Sequence, residues 1–257
     1  MKRSRTIAVA VVVFLLVATV GVHIDLSALT GTSIRGIALG ANQNNGEPDP
    51  FAKKAKPVPD PLEKFNRAMF NLNDKLYYVL WKPVATIYAA YIPCGVRSCI
   101  RNAFDNIKMP VRFLNNLLQC KPQRAGNELK RFVINSTLGM GGFFDVAQTH
   151  FNMKEYDEDF GQTLAVWGLN HRFFLNLPIL GPSSGRDTIG RAVDVFTSPL
   201  LYMPMDFGVS AGIRGGEIVN FTSLNIGEYE DFKKSAVDPY ASMRDAYIQY
   251  RADEVAR

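Results

Sequence analysis

DFGQTLAVWGLNHRFFLNLPILGPSSGRDTIG, from Asp159 to Gly190, strings Gly, Pro, Trp and Arg-Asp together in an order that no simple helix or strand requires. Gly161, Gly168, Gly181, Gly185 and Gly190 permit φ > 0 or close backbone approach, while Pro178 and Pro182 fix φ and break any helix running through them. The stretch is built for a particular backbone path. Short helical patterns bracket its loop, from Asp159 to about Trp167 and from Arg186 to about Phe196. Arg186 and Asp187 are expected to pin the loop by a side-chain hydrogen bond or ion pair.

Outward from that loop, apolar residues recur at helical spacing. Phe65, Met69, Leu72, Leu76 and Val79 form one stripe, which Lys82-Pro83 is expected to stop. Val96, Cys99, Ile100, Ala103, Phe104 and Ile107 repeat the signature, and Pro110 opens a helix holding Val111, Leu114, Leu117 and Leu118. Pro122 begins a longer helix with Leu129, Phe132, Val133 and Ser136 on successive turns, ending before Gly139. A short helix follows from Phe143 to about Gln148. Two more run from about Asp206 to Asn225 and from Pro239 to Glu254, separated by the charged stretch Glu228 to Lys234. Strand signals are thin. The pattern predicts an all-α, compact and curved arrangement of short amphipathic helices in one body.

Several short motifs stand in one order: Asp60-Pro-Leu-Glu-Lys-Phe-Asn-Arg67, Lys82-Pro-Val84, Arg131-Phe132, Gly139-Met-Gly-Gly-Phe-Phe-Asp-Val-Ala147, and the Asp159 to Gly190 stretch. Together, from about Asp60 to about Arg251, they make the chain resemble the MlaA (VacJ) family of outer-membrane phospholipid-transport proteins. The resemblance implies a ring-like helical disc in the inner leaflet of the outer membrane, with an amphipathic channel through it. It further implies phospholipid as substrate, a soluble periplasmic carrier (MlaC-like) and a trimeric outer-membrane porin as partners.

The ends of the chain divide accordingly. Residues 1–40 read as a signal peptide or signal-anchor: Lys2, Arg3 and Arg5 precede the 16-residue charge-free run Ile7 to Val22, and Ala38-Leu39-Gly40 offers a cleavage site. A retained anchor implies an inner-membrane location, the alternative to the periplasmic side of the outer membrane. Residues 41–59 read as a flexible tether and residues 60–257 as the helical domain. Family members usually carry a lipidated Cys just after the leader, yet the first Cys here is Cys94. Without that anchor, membrane residence falls to the leader, the body's own apolar faces or a partner.

Composition excludes several classes. Of the formal charge of +5, +3 lies in residues 1–40, so the body is not a polybasic nucleic-acid binder. With 47% hydrophobic residues, 17 Phe and 10 Tyr, apolar surface exceeds what a core of this size needs and invites lipid or a partner. Cys94, Cys99 and Cys120 lack metal-ligand spacing, although Cys94 and Cys99 are close enough in sequence to raise the question of a disulfide. Gly139-Met-Gly-Gly142 follows a helix instead of a strand, which suits a cap better than a nucleotide loop. Glu155, Asp157, Glu158 and Asp159 lack the ligand order of a calcium loop and read as a solvated face with Asp159 at a helix start. No cofactor or metal is expected.

Gly181-Pro-Ser-Ser-Gly185 fits G-x-S-x-G, the nucleophile elbow of lipases and esterases, with Ser183 as the nucleophile. His23, His150 and His171 all precede it, whereas that fold places the base afterwards. A transport component is the primary reading, with a Ser183 lipase or an envelope scaffold as alternatives. A passage for phospholipid must keep the head wet and the chains dry. Met140, Phe143 and Phe144, then Val166, Trp167, Leu169 and Arg172, are the residues expected to line or gate it, and the resemblance implies that the first helix, with Phe70, Asn71 and Asn73, is a rim or gate element.

Overall fold

The structure is a computed structural model that describes residues 59–171 and 173–257. The leader expected over residues 1–40, nearly all of the tether expected over 41–59, and Arg172 lie outside the described residues.

Helix α1 (Glu63–Leu76) carries an acid in its first turn and Lys75 in its last, as the helix dipole favours. Lys82-Pro83 does not stop it. A π-turn over Tyr77–Trp81, closed by the Lys82 N–H on the Tyr77 carbonyl, hands the chain straight into α2 (Lys82–Tyr91). The proline lies within the first turn of α2, and the wider π-turn before it accommodates the ring and its missing amide. The chain then bends by 118° at Ile92-Pro93 into α3 (Cys94–Ile107). Among the described residues no single helix is long and apolar enough to cross a membrane.

Helices α4 (Met109–Leu118) and α5 (Pro122–Thr137) open on the prolines that sequence marked, and α6 (Val146–Phe151) and α7 (Phe160–Val166) follow. Helix α6 starts later than expected because Asp145 is its cap, accepting from the Gln148 amide; Asp159 caps α7 in the same way through Gln162. Such caps contribute about 1 kcal/mol each. The Gly/Pro loop holds a two-stranded antiparallel hairpin, β1 (Phe174–Leu177) and β2 (Gly181–Ser184), which thin strand signals did not announce. Then come α8 (Gly185–Thr197), α9 (Pro199–Tyr202), α10 (Phe207–Leu224), α11 (Glu228–Ser235) and α12 (Pro239–Ala256). The charged stretch at Glu228 is thus a helix of its own, with acids first and Lys233 and Lys234 last.

Packing neighbours close into a circuit. From α1 the path runs through the π-turn and α2 to α10, then to α3, α4 and α7, and from α7 to α12, which meets β2 and so returns to α1. This cyclic order gives the helical body its ring-like arrangement. At the closure, Phe70, Phe174, Tyr240, Met243, Tyr247 and Ile248 form the apolar core, with rings edge to face at 6.0–6.2 Å.

Candidate functional site

Helix α4 shows the principle on which the body is built. At about 100° per residue, Leu114, Leu117 and Leu118 centre on the side opposite Arg112. The three leucines are exposed, whereas Arg112, Asn115 and Asn116 are buried. Helix α5 repeats this, with Leu129 and Val133 outside and Glu128, Arg131 and Asn135 inside. Across the described residues, 29 large hydrophobic side chains are exposed, while 23 polar or charged residues are buried against 14 hydrophobic ones. Water would favour the reverse. The helices are amphipathic as sequence indicates, but most of them turn the polar face inward.

Buried charge on this scale holds only when it is paired. Arg112 meets Glu128 at 2.8 Å and Glu155 at 2.9 Å. Glu158 accepts from Gln119 at 2.9 Å and from Lys121 and Arg124 at 3.1 Å each. Asp145 accepts from Arg131 and Asn135, both at 3.0 Å. The acidic run from Glu155 to Asp159 is therefore not a solvated face. It is a strap whose carboxylates reach into α4, α5 and α12, because their basic partners lie there.

Asp187 anchors the hairpin as expected. It accepts from Arg186 and Arg251 at 2.9 Å each and from the Tyr247 hydroxyl at 2.6 Å. Burial alone would push its carboxyl up, but the two guanidiniums and the phenol outweigh that and hold it well below the carboxylate range. His171 also belongs to this cluster. Burial pushes its imidazole down to about 4, so the neutral ring accepts from Arg186 at 3.0 Å.

That arrangement bears directly on Ser183. Its side chain is 0% exposed, and its hydroxyl lies 3.0 Å from the Thr188 hydroxyl. The imidazole of His171 is occupied by Arg186. The G-x-S-x-G stretch does form a strand-to-helix corner, but the corner is closed.

The residues singled out from sequence fall in three places. Met140, Phe143, Phe144, Val166, Trp167 and Leu169 are all exposed. Met140, with φ 54°, begins a left-handed turn through Gly141 and Gly142 that holds it 70% exposed. A side chain at Gly142 would meet Asn106 at 2.6 Å, so the Gly139 to Gly142 run serves close packing as well as capping. Trp167 donates its indole N–H to the Leu118 carbonyl at 3.1 Å, joining the loop to the apolar side of α4. Phe70 instead lies buried in the core against Tyr240, while Asn71 is exposed on α1. Arg172 lies outside the described residues.

Asn73 donates to the Leu177 carbonyl at 2.8 Å and its oxygen accepts from the Ile179 amide, which ties α1 to the hairpin turn. Sequence reasoning missed the inward charges Asp105, Lys108, Arg112 and Glu217. Their signal was the position of Lys108 and Arg112 one turn apart, opposite the leucines of α4. Among the described residues no group of His, Cys, Asp and Glu is placed to hold a metal ion.

Comparison with known proteins fits this geometry. The model of the MlaA lipoprotein family matches residues 58–254. The intermembrane phospholipid transport system lipoprotein MlaA of Escherichia coli K12 is 33% identical over 203 residues, covering 77% of each chain. Its Haemophilus influenzae counterpart is 30% identical over 219 residues, 84% of this chain and 85% of that one. An uncharacterized protein of Rickettsia bellii is 34% identical over 203 residues, 77% of each chain. A solved chain from work on the structural basis for maintenance of bacterial outer membrane lipid asymmetry superposes with a TM-score of 0.67 at 31% identity, covering 77% of this chain and 99% of that one. With the described body matched almost end to end, the chain belongs to the MlaA lipoprotein family.

Proposed function

We propose that this protein takes misplaced phospholipid from the outer leaflet of a Gram-negative outer membrane and passes it to a soluble periplasmic carrier, preserving lipid asymmetry without covalent chemistry. The observation that carries the reading is the inverted body, with apolar side chains outside and paired charge inside. Moving one Leu, Val or Phe out of water yields about 1.5–3 kcal/mol. Acyl chains covering the 29 exposed side chains would contribute tens of kcal/mol by the same measure, more than any cap or surface ion pair. Family membership supplies the substrate class, and the closed circuit of helices supplies an interior.

Within this reading, Met140, Phe143 and Phe144 on one loop and Val166, Trp167 and Leu169 on another meet acyl chains, while charged side chains inside the circuit meet the head. The body rests on the periplasmic side of the outer membrane, next to a trimeric porin. Closed burial of Ser183 speaks against the hydrolase.

Mass spectrometry of lipid retained by the isolated protein tests the reading against that of a scaffold. Stoichiometric phospholipid is expected. Protein free of lipid in a detergent mild enough to preserve such binding would refute it.

A further inference from the structure

Lys108 closes α3 and opens α4, and its ammonium lies 2.8 Å from Glu217 of α10 and 3.5 Å from Asp105 of α3. One turn on, Arg112 is held by Glu128, Glu155 and the Asp105 carbonyl. The two cations differ in access. The side chains of Arg112 and Glu128 are 6% and 0% exposed, so that pair is sealed. Those of Lys108, Asp105 and Glu217 are 28%, 38% and 15% exposed, so water reaches them.

Both cations project from the side of α4 opposite Leu114, Leu117 and Leu118, and α10 and the acidic strap face that side. The neighbouring Glu155 keeps about a third of its side-chain surface, yet desolvation pushes its carboxyl up to about 7 against the opposing pull of Arg112. Asp105, Lys108 and Glu217 thus form a partly exposed ion triad beside a sealed pair.

We propose that Lys108, Asp105 and Glu217 form a headgroup-exchange site that favours phospholipids pairing their phosphate with an ammonium over net-anionic ones. This rests on the phospholipid reading above and names the substrate class it prefers. The phosphate takes the Lys108 ammonium, and the carboxylates that Lys108 releases take the lipid ammonium, so every charge leaves water with a partner. A net-anionic head brings phosphate but no cation. It leaves Asp105 and Glu217 without a cation once Lys108 has turned to the phosphate.

The purified full chain, offered vesicles of equal phosphatidylethanolamine and phosphatidylglycerol, tests this through the ratio of the two lipids it retains. An unpaired, partly desolvated carboxylate predicts a preference for the ethanolamine lipid of about tenfold. The double substitution Asp105→Asn with Glu217→Gln should bring the ratio near one. N-acyl phosphatidylethanolamine, which lacks the ammonium, should bind the unaltered protein no better than phosphatidylglycerol, a result independent of whether the variant folds. A ratio near one in the unaltered protein, or equal binding of the N-acylated lipid, overturns the exchange site and leaves phospholipid binding intact. Absence of both lipids overturns the phospholipid reading instead.

Discussion

Replacing Arg251 by Met, a side chain of similar length without charge, removes the ion pairs that join α12 to α7 and α8 and leaves the Tyr247 hydroxyl on Asp187. Arg251 gives two bonds to Asp159, at 2.6 and 2.9 Å, and one to Asp187 at 2.9 Å, from a side chain 8% exposed. Loss of one partner of a buried ion pair costs about 3–5 kcal/mol. Asp187 keeps Arg186 and Tyr247, and Asp159 keeps the Gln162 amide and is 32% exposed, so neither carboxylate is stranded. The lower end, about 3 kcal/mol, therefore applies, and at about 2–4 °C per kcal/mol for a body of this size Tm falls by about 6–12 °C at pH 7.

The pH dependence carries a sign. Burial raises the carboxyls of Asp159 and Asp187, but Arg251 outweighs it and both stand below their ordinary value. A depressed carboxyl contributes stability above its unfolded pKa, near 4, and loses it as pH falls through the folded value. Without Arg251 that contribution is smaller, so the gap between protein and variant should be full at pH 7 and narrow below about pH 4. Thermal melts by circular dichroism in one detergent at pH 7 and 2 measure both. A Tm within 2 °C of the unaltered protein at pH 7, or an equal gap at both pH values, would refute the argument.

Gly190→Ala places a methyl 2.3 Å from the Gly161 amide nitrogen, backbone against backbone, and should cost about 2 kcal/mol or more; Gly126→Ala, mid-helix with open space around it, should gain about 0.5–1 kcal/mol in the same melts. Ser183→Ala removes one hydroxyl contact to Thr188 and should leave lipid binding unchanged, with fatty-acid release that depends on Ser183 as the contrary result. Cys94 and Cys99, five residues apart in α3, point about 140° apart around the helix, so all three thiols should react with a thiol reagent in unfolded, unreduced protein. Recovery of one reactive thiol in place of three would contradict that geometry.

Much of the helical plan was legible. Pro110 and Pro122 mark helix starts, Asp159 caps where its position suggests, and the Arg186-Asp187 pair does fasten the hairpin. Which face turns inward was not legible from α4 or α5 alone, because a 3.6-residue stripe fixes the axis of amphipathicity and not its sense. Leu117 reads as core in a soluble fold and as exterior in lipid, and only the surplus of apolar residues hinted at the second. The acidic strap misled for a related reason. Glu158 finds Lys121 and Arg124 more than 30 residues away, and no local spacing announces that pairing. Pro83 shows the limit of breaker rules, since a π-turn absorbs it and the helix runs on.

The central claim, that this body withdraws phospholipid from the outer leaflet, is tested most directly by outer-leaflet phospholipid in cells lacking the gene. Labelling of surface-exposed headgroups should rise when the gene is deleted and return to the parental level when the unaltered chain or the Ser183→Ala variant is restored. Unchanged labelling in the deletion strain would contradict the account.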